Sequence, residues 1–113
     1  MIKYKKNREV LDKAFISNDP IYFDWIATIC FYTSLHIIEA KFAENSVDNR
    51  THVEREEKML KSGIFSKKAT QRYKQLSHYS RVARYGPDSI NLTLASNSIE
   101  LLSKIEKELL ANE

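Results

Sequence analysis

Apolar and polar positions divide the chain into five helical stretches. The most apolar lies between Pro20 and Asn45, and from Phe23 to Ala40 it contains no glycine, proline, lysine or arginine. At about 100° per residue its large apolar side chains point to several sides. Trp25 and Ile29 share one, Phe23, Ile26 and Ile37 a second, and Phe31, Leu35, Ile38 and Phe42 a third. A helix apolar all round is a central one. A membrane span needs about 20 predominantly apolar residues, and this run is interrupted by Asp24, Thr28, Thr33, Ser34, His36 and Glu39. The pattern therefore predicts a buried helix ending near Glu44 or Asn45. Asp24, Thr28, Tyr32 and His36 follow one another at i+4 with Glu39 on the same side, and such a stripe needs hydrogen-bond partners if protein covers it.

The other stretches are shorter or more charged. Tyr4, Leu11, Ala14 and Phe15 keep one helical face and predict a helix from Met1 to about Ile16. Its basic start, Lys3, Lys5, Lys6 and Arg8, opposes the helix dipole and reads as a solvated end or a phosphate contact. Ser17 to Pro20 form a turn, with Asp19 as N-cap and Pro20 at the first helical position. After a polar loop from Ser46 to Arg50, Thr51 and Glu54 have the spacing of a capping box. They open a short charged helix that stops at Gly63, with Ile64 placed for the hydrophobic contact of the cap. Ser66 caps the next helix, in which Ala69, Tyr73, Leu76, Tyr79 or Ser80, and Ala83 face inward, and Gly86-Pro87 stops it. Asp88 or Ser89 opens the last helix, with Leu92, Ala95, Ile99, Leu102 and Leu109 on one face and Leu101 and Ile105 widening it. The expected fold is all-α: one domain, an antiparallel helical bundle of four longer helices and one short helix.

Composition agrees with this. At 113 residues the chain suffices for one packed core. Two glycines and two prolines leave little punctuation for a many-stranded β fold. Cys30 is the sole cysteine, so no intramolecular disulfide forms, and its place in the central helix predicts a small buried hydrophobe. The basic first residues are not followed by a signal-peptide apolar run, and a cytoplasmic location is expected. Net charge +3 and a pI of about 9.0 permit a nucleic-acid partner without requiring one.

Candidate chemistry concentrates in a few side chains. His36, with Glu39 and Tyr32 on the same side, is a core histidine or part of a polar patch completed by His52 or Arg84. His52 sits at the first turn of the short helix, where exposed amides favour phosphate, and Arg55 one turn later can add a bidentate grip. Arg81 and Arg84 share a face, with His78 and Tyr85 nearby, and are the first choice for an anionic ligand. A solvated face, or ion pairs to Glu39 and Glu54, explains them equally well. Tyr4, Tyr22, Tyr73 and Tyr79 have helical spacing and are core positions or base-stacking surfaces. The three histidines, Glu39 and the cysteine have no metal-ligand spacing, so neither metal nor cofactor is expected. No glycine-rich phosphate loop, nucleophile elbow or paired-carboxylate motif is present.

The order of features resembles a known superfamily. Tyr32, Ser34, Leu35 and His36 in the aromatic helix, then Thr51, His52 and Arg55, then Tyr73, Leu76, Ser80, Arg81, Ala83, Arg84, Tyr85 and Gly86 together resemble HEPN proteins, over roughly residues 20 to 86. The resemblance implies a helical bundle that often dimerises, occurring in toxin–antitoxin pairs, defence systems and as partners of nucleotidyltransferases. Many such proteins are metal-independent ribonucleases, with an arginine followed four to six residues later by a histidine at the dimer interface. There the arginine stabilises phosphate and the histidine assists proton transfer. Arg72 and His78 have that spacing, but on a continuous helix they point about 120° apart. Arg81 is the better counterpart by motif order, and Val82, Ala83, Arg84, Tyr85 and Gly86 follow it without a histidine. The implied function is a non-catalytic RNA- or nucleotide-binding or partner-binding module, with an antitoxin or nucleotidyltransferase as possible partner, a homodimer as assembly and no membrane. Two alternatives stand beside it: a ribonuclease toxin using Arg81 with His78 or His52, and a purely structural interaction bundle.

Overall fold

Four helices pack around a core supplied mostly by one of them, with a fifth segment laid alongside. The computed structural model describes residues 5–11, 23–45, 51–85 and 91–110. The described part of the first helix, α1, covers residues 5–11. It is followed by α2 (Phe23–Glu44), α3 (His52–Lys61), α4 (Lys67–Tyr85) and α5 (Leu92–Leu110), and the described residues include no strand. The chain is thus an all-α bundle. Tyr4, Ala14, Phe15, Tyr22, the turn at residues 17–20, the loop at 46–50 and Gly86-Pro87 lie outside the described residues. No helix among those described is long and apolar enough to cross a membrane.

The central helix packs against both α4 and α5. At one end of α2 the Phe42 ring meets Phe65, just before α4, at 5.1 Å. At the other end Asp24, Trp25, Thr28 and Ile29 share a cleft with Ala83 and Arg84 at the close of α4, so α2 and α4 run antiparallel. Between them Phe31 lies 5.6 Å from Tyr73, ring to ring. Ile26, Ile37, Ile38, Leu76, Leu102 and Ile105 are completely buried with them. Large apolar residues pointing to several sides of α2 are satisfied because two helices cover it from different directions.

Small polar residues let these helices approach. Thr33 and Ser34 of α2 are fully buried, yet their hydroxyls donate to the carbonyls of Ile29 and Phe31 in their own helix, both at 2.7 Å. Ser98 of α5 does the same to Leu94 at 2.9 Å. The buried stripe of α5 is Ala95, Ser98, Leu102 and Ile105. It includes Ser98 where apolarity alone selects Ile99, because a small side chain that satisfies itself fits a close contact.

Capping residues fix the helix ends. The Thr51 hydroxyl accepts from the Glu54 amide at 3.1 Å, while the Glu54 carboxylate engages Lys58 at 3.1 Å. At the other end of α3, Ser62 donates its amide to Lys58 and Gly63 takes a φ of 74°, the left-handed conformation a side chain disfavours. Ile64 then packs on the core. Ser66 caps α4 by accepting from Ala69 at 3.0 Å. Helix α5 corrects the expected start at Asp88 or Ser89: it begins at Leu92, where the Asn91 side chain accepts from the Leu94 amide at 2.9 Å. Asn is as good an N-cap as Asp or Ser, and here the cap nearest the buried stripe is the one used.

Candidate functional site

The polar stripe of α2 lies at the surface. Trp25 is 61% exposed and Tyr32 36% exposed, while Asp24, Thr28, Ile29 and His36 are half-buried. The predicted burial of α2 holds on its apolar sides, which α4 and α5 cover, while the side that carries the polar stripe stays open. Along that side, next to the last turn of α4, Asp24, Trp25, Thr28, Ile29, Ala83 and Arg84 line a cleft of about 420 Å³.

Arg84 closes the cleft. Its Nη1 donates to the Tyr32 hydroxyl at 3.0 Å, its Nε donates to the Ser80 carbonyl at 3.3 Å, and its guanidinium carbon lies 5.7 Å from the Tyr32 ring centroid. A guanidinium held by a carbonyl of its own helix and a neighbouring phenol has lost much of its rotational freedom. Its planar fork therefore meets an anion with less ordering left to do. Tyr32 is supported in turn by an edge-on contact with Phe31 at 5.2 Å. The chain of contacts runs from the core through Phe31 and Tyr32 to a surface cation.

One turn earlier, Arg81 is exposed on the same helix, and His78 is exposed a turn before that. The His78 ring stands 6.1 Å from Tyr79. Farther along α2, His36 Nδ1 lies 3.4 Å from the Glu39 carboxylate, with both side chains partly exposed. Glu39 thus engages His36, the residue one turn before it. His52 opens α3 and Tyr85 closes α4, and their side chains lie outside the described part of the structure.

Arg55 is placed differently from the expected bidentate grip. It is only 7% exposed and sits against the fully buried Tyr73. Burial raises the Tyr73 phenol above its ordinary range, and hydrogen bonding and charge from Arg55 pull it back only in part. The hydroxyl itself meets no partner at full hydrogen-bonding geometry. Tyr73 and Arg84 are eleven positions apart on α4, about 16 Å along the axis. Arg55 therefore belongs to the interior, and Arg55, Arg81 and Arg84 do not line one basic cleft. Tyr73 is core, whereas Tyr79 is half-buried.

Cys30 is buried, and desolvation pushes its thiol far up, against a smaller opposing pull from Arg8. A thiol held in its neutral form is a poor nucleophile and metal ligand. Among the described residues no three His, Cys, Asp or Glu side chains converge as a metal site would need. Sequence reasoning missed Trp25 as a surface residue. The available signal was its position three residues before Thr28 and seven before Tyr32, on the edge of the polar stripe rather than opposite it. Comparison of the chain with protein-family models, with curated proteins and with solved structures gives no match.

Proposed function

We propose that the chain is a non-catalytic, HEPN-like module that binds RNA or a nucleotide at the α2–α4 cleft, as part of a toxin–antitoxin or defence type system. The observation that carries this is the Arg84 guanidinium held over Tyr32 at 3.0 Å from its hydroxyl. Single-stranded nucleic acid is bound by cations that follow the phosphates and aromatic faces that stack bases. Arg84 and Arg81 supply the first, and the exposed Trp25 and Tyr32 the second. Acid–base chemistry has weaker support. The histidine near Arg81 precedes it by one turn instead of following it, and His36 is engaged by Glu39.

The test is incubation with labelled single-stranded RNA without metal, reading retardation and cleavage together. Salt-sensitive retardation without cleavage, lost in Arg84→Ala, is expected. Cleavage abolished by Arg81→Ala would instead establish a ribonuclease. A second reading is favoured by Trp25 alone: a 61% exposed tryptophan beside Ile29 and Ala83 also suits a protein partner, either a second copy forming a homodimer or an antitoxin or nucleotidyltransferase. Light scattering of the wild type and of Trp25→Ala separates the two, since a dimer built on this face dissociates in the variant.

A further inference from the structure

A second cleft lies on the other side of α4, and its lining is of a different kind. Helices α4 and α5 run antiparallel, pinned at one end where the Ser66 hydroxyl donates to Glu108 at 2.7 Å. On the outside of this pair lies a groove of about 470 Å³, within the roughly 300–1,000 Å³ usual for small-ligand sites. From α4 come Lys68, Arg72, Gln75 and Tyr79, and from α5 Asn97 and Lys104. Each set repeats at three, four or seven residues, so each is one helical face.

The antiparallel register sorts these groups by chemistry. Lys68 and Arg72 lie toward the pinned end, where Lys104 faces them. Tyr79 and Asn97 lie toward the other end, and Gln75 stands between. Lys68 and Tyr79 are eleven positions apart, about 16 Å along α4. Three cations at the first end are opposed in the lining by one carboxylate, Glu100, which sits 3.3 Å from Lys104 on a solvent-exposed surface. Arg72 is half-buried, and no hydrogen bond or ion pair joins its side chain to another described residue. A guanidinium kept partly out of water, and not held by a carboxylate of any described residue, is a natural seat for an external anion.

We propose that this groove binds a nucleoside phosphate, with the phosphate on Arg72, Lys68 and Lys104 and the base against Tyr79. The side-chain amides of Gln75 and Asn97 each offer a donor and an acceptor to a base edge. The half-buried Tyr79, packed on the core from behind, offers an aromatic ring for stacking. An acidic peptide would use the cations but would leave the amide and aromatic end without a matching ligand group. Binding displaces Glu100 from Lys104, an exposed pair of small worth. The shared chemistry belongs equally to a free nucleotide and to the phosphorylated 5′ end of a single-stranded RNA. The site is independent of the α2–α4 cleft and does not rest on the function proposed for it.

Amide NMR of the full chain tests this, titrating AMP, and separately a short oligoribonucleotide with either a 5′-phosphate or a 5′-hydroxyl. Saturable shifts at Arg72, Gln75, Tyr79, Asn97 and Lys104 are expected, weakened about tenfold by Arg72→Gln. Saturation by AMP identifies a free nucleotide as sufficient, and saturation only by the phosphorylated oligonucleotide identifies an RNA end; either supports the site. Absence of saturable shifts with all three ligands overturns it, as does binding that Arg72→Gln and Lys68→Gln leave unaltered. Loss of RNA retardation in Arg84→Ala with intact AMP shifts keeps the two proposals distinguishable.

Discussion

The α2–α4 cleft and the α4–α5 groove flank one helix, yet they hold their cations in opposite ways. Arg84 is fixed by Tyr32 and by the Ser80 carbonyl, and the exposed Trp25 stands beside it. The side chains of Arg72 and Lys68 make no hydrogen bond or ion pair with any described residue, and the side chains around them are mainly polar. The first holds its cation in place before any ligand arrives. A ligand in the second would have to order its side chains, at about 0.5–1.5 kcal/mol each, and would rely on the charge of three cations. The difference originates in α2, whose aromatic residues reach the surface on one side of α4, whereas α5 presents Asn97, Glu100 and Lys104 on the other.

The most severe way to erase this contrast is to remove what both sides share. Phe31 contacts Tyr32 and Tyr73 and is 1% exposed, so Phe31→Ala should cost about 3–5 kcal/mol in urea unfolding and weaken both sites together. Arg84→Ala and Arg72→Gln should sharpen the contrast. Each is expected to lower affinity about tenfold at its own site, read by RNA retardation and AMP titration respectively, while changing folding stability by less than about 1 kcal/mol. Ser66→Ala removes the cap of α4 and its link to Glu108, and should lower stability by about 1 kcal/mol, with the groove loosened before the α2–α4 cleft.

Smaller effects concern the interior between the sites. Tyr73→Phe deletes a buried hydroxyl without a partner at full geometry and should leave stability unchanged or raise it by about 1 kcal/mol. The same burial gives a pH dependence. Tyr73 and Cys30 both have folded pKa values above their ordinary 10.0 and 9.0. The unfolded chain therefore loses these protons first as pH rises. Stability is complete below about pH 9 and falls as pH climbs through that range and past 10. The part of the fall above about pH 10 should diminish in Tyr73→Phe. Least of all, Lys104→Ala should alter folding by less than about 0.5 kcal/mol, because its pair with Glu100 is exposed.

Much of the fold was legible in the sequence because local signals were unambiguous. Thr51, Gly63 and Ser66 mark helix boundaries by chemistry that acts within four residues, and each acts as expected. The start of α5 is not decided locally, because Asp88, Ser89 and Asn91 are all competent caps, and the choice depends on where the buried face of α5 must begin. Trp25 shows the limit of periodicity. Being apolar says that a residue gains by burial, but whether a neighbour covers it depends on where α4 crosses α2. Arg55 shows the same limit for charge, since its burial beside Tyr73 depends on how α3 docks. The site residues Tyr32 and Arg84 could be named from helical spacing and family resemblance, but their contact across fifty-two positions could not. The α4–α5 groove could not be seen at all before the register of the two helices was known.

The central claim is that the α2–α4 cleft binds RNA without cutting it. Its most direct test is metal-free incubation of the protein with labelled single-stranded RNA, beside Arg81→Ala and Arg84→Ala, read on one gel for mobility and for fragment length. Retarded, full-length RNA whose retardation fades with salt and with loss of either arginine is the predicted result. RNA shortened by the wild type but not by Arg81→Ala, or RNA that passes unretarded at low salt, would contradict it.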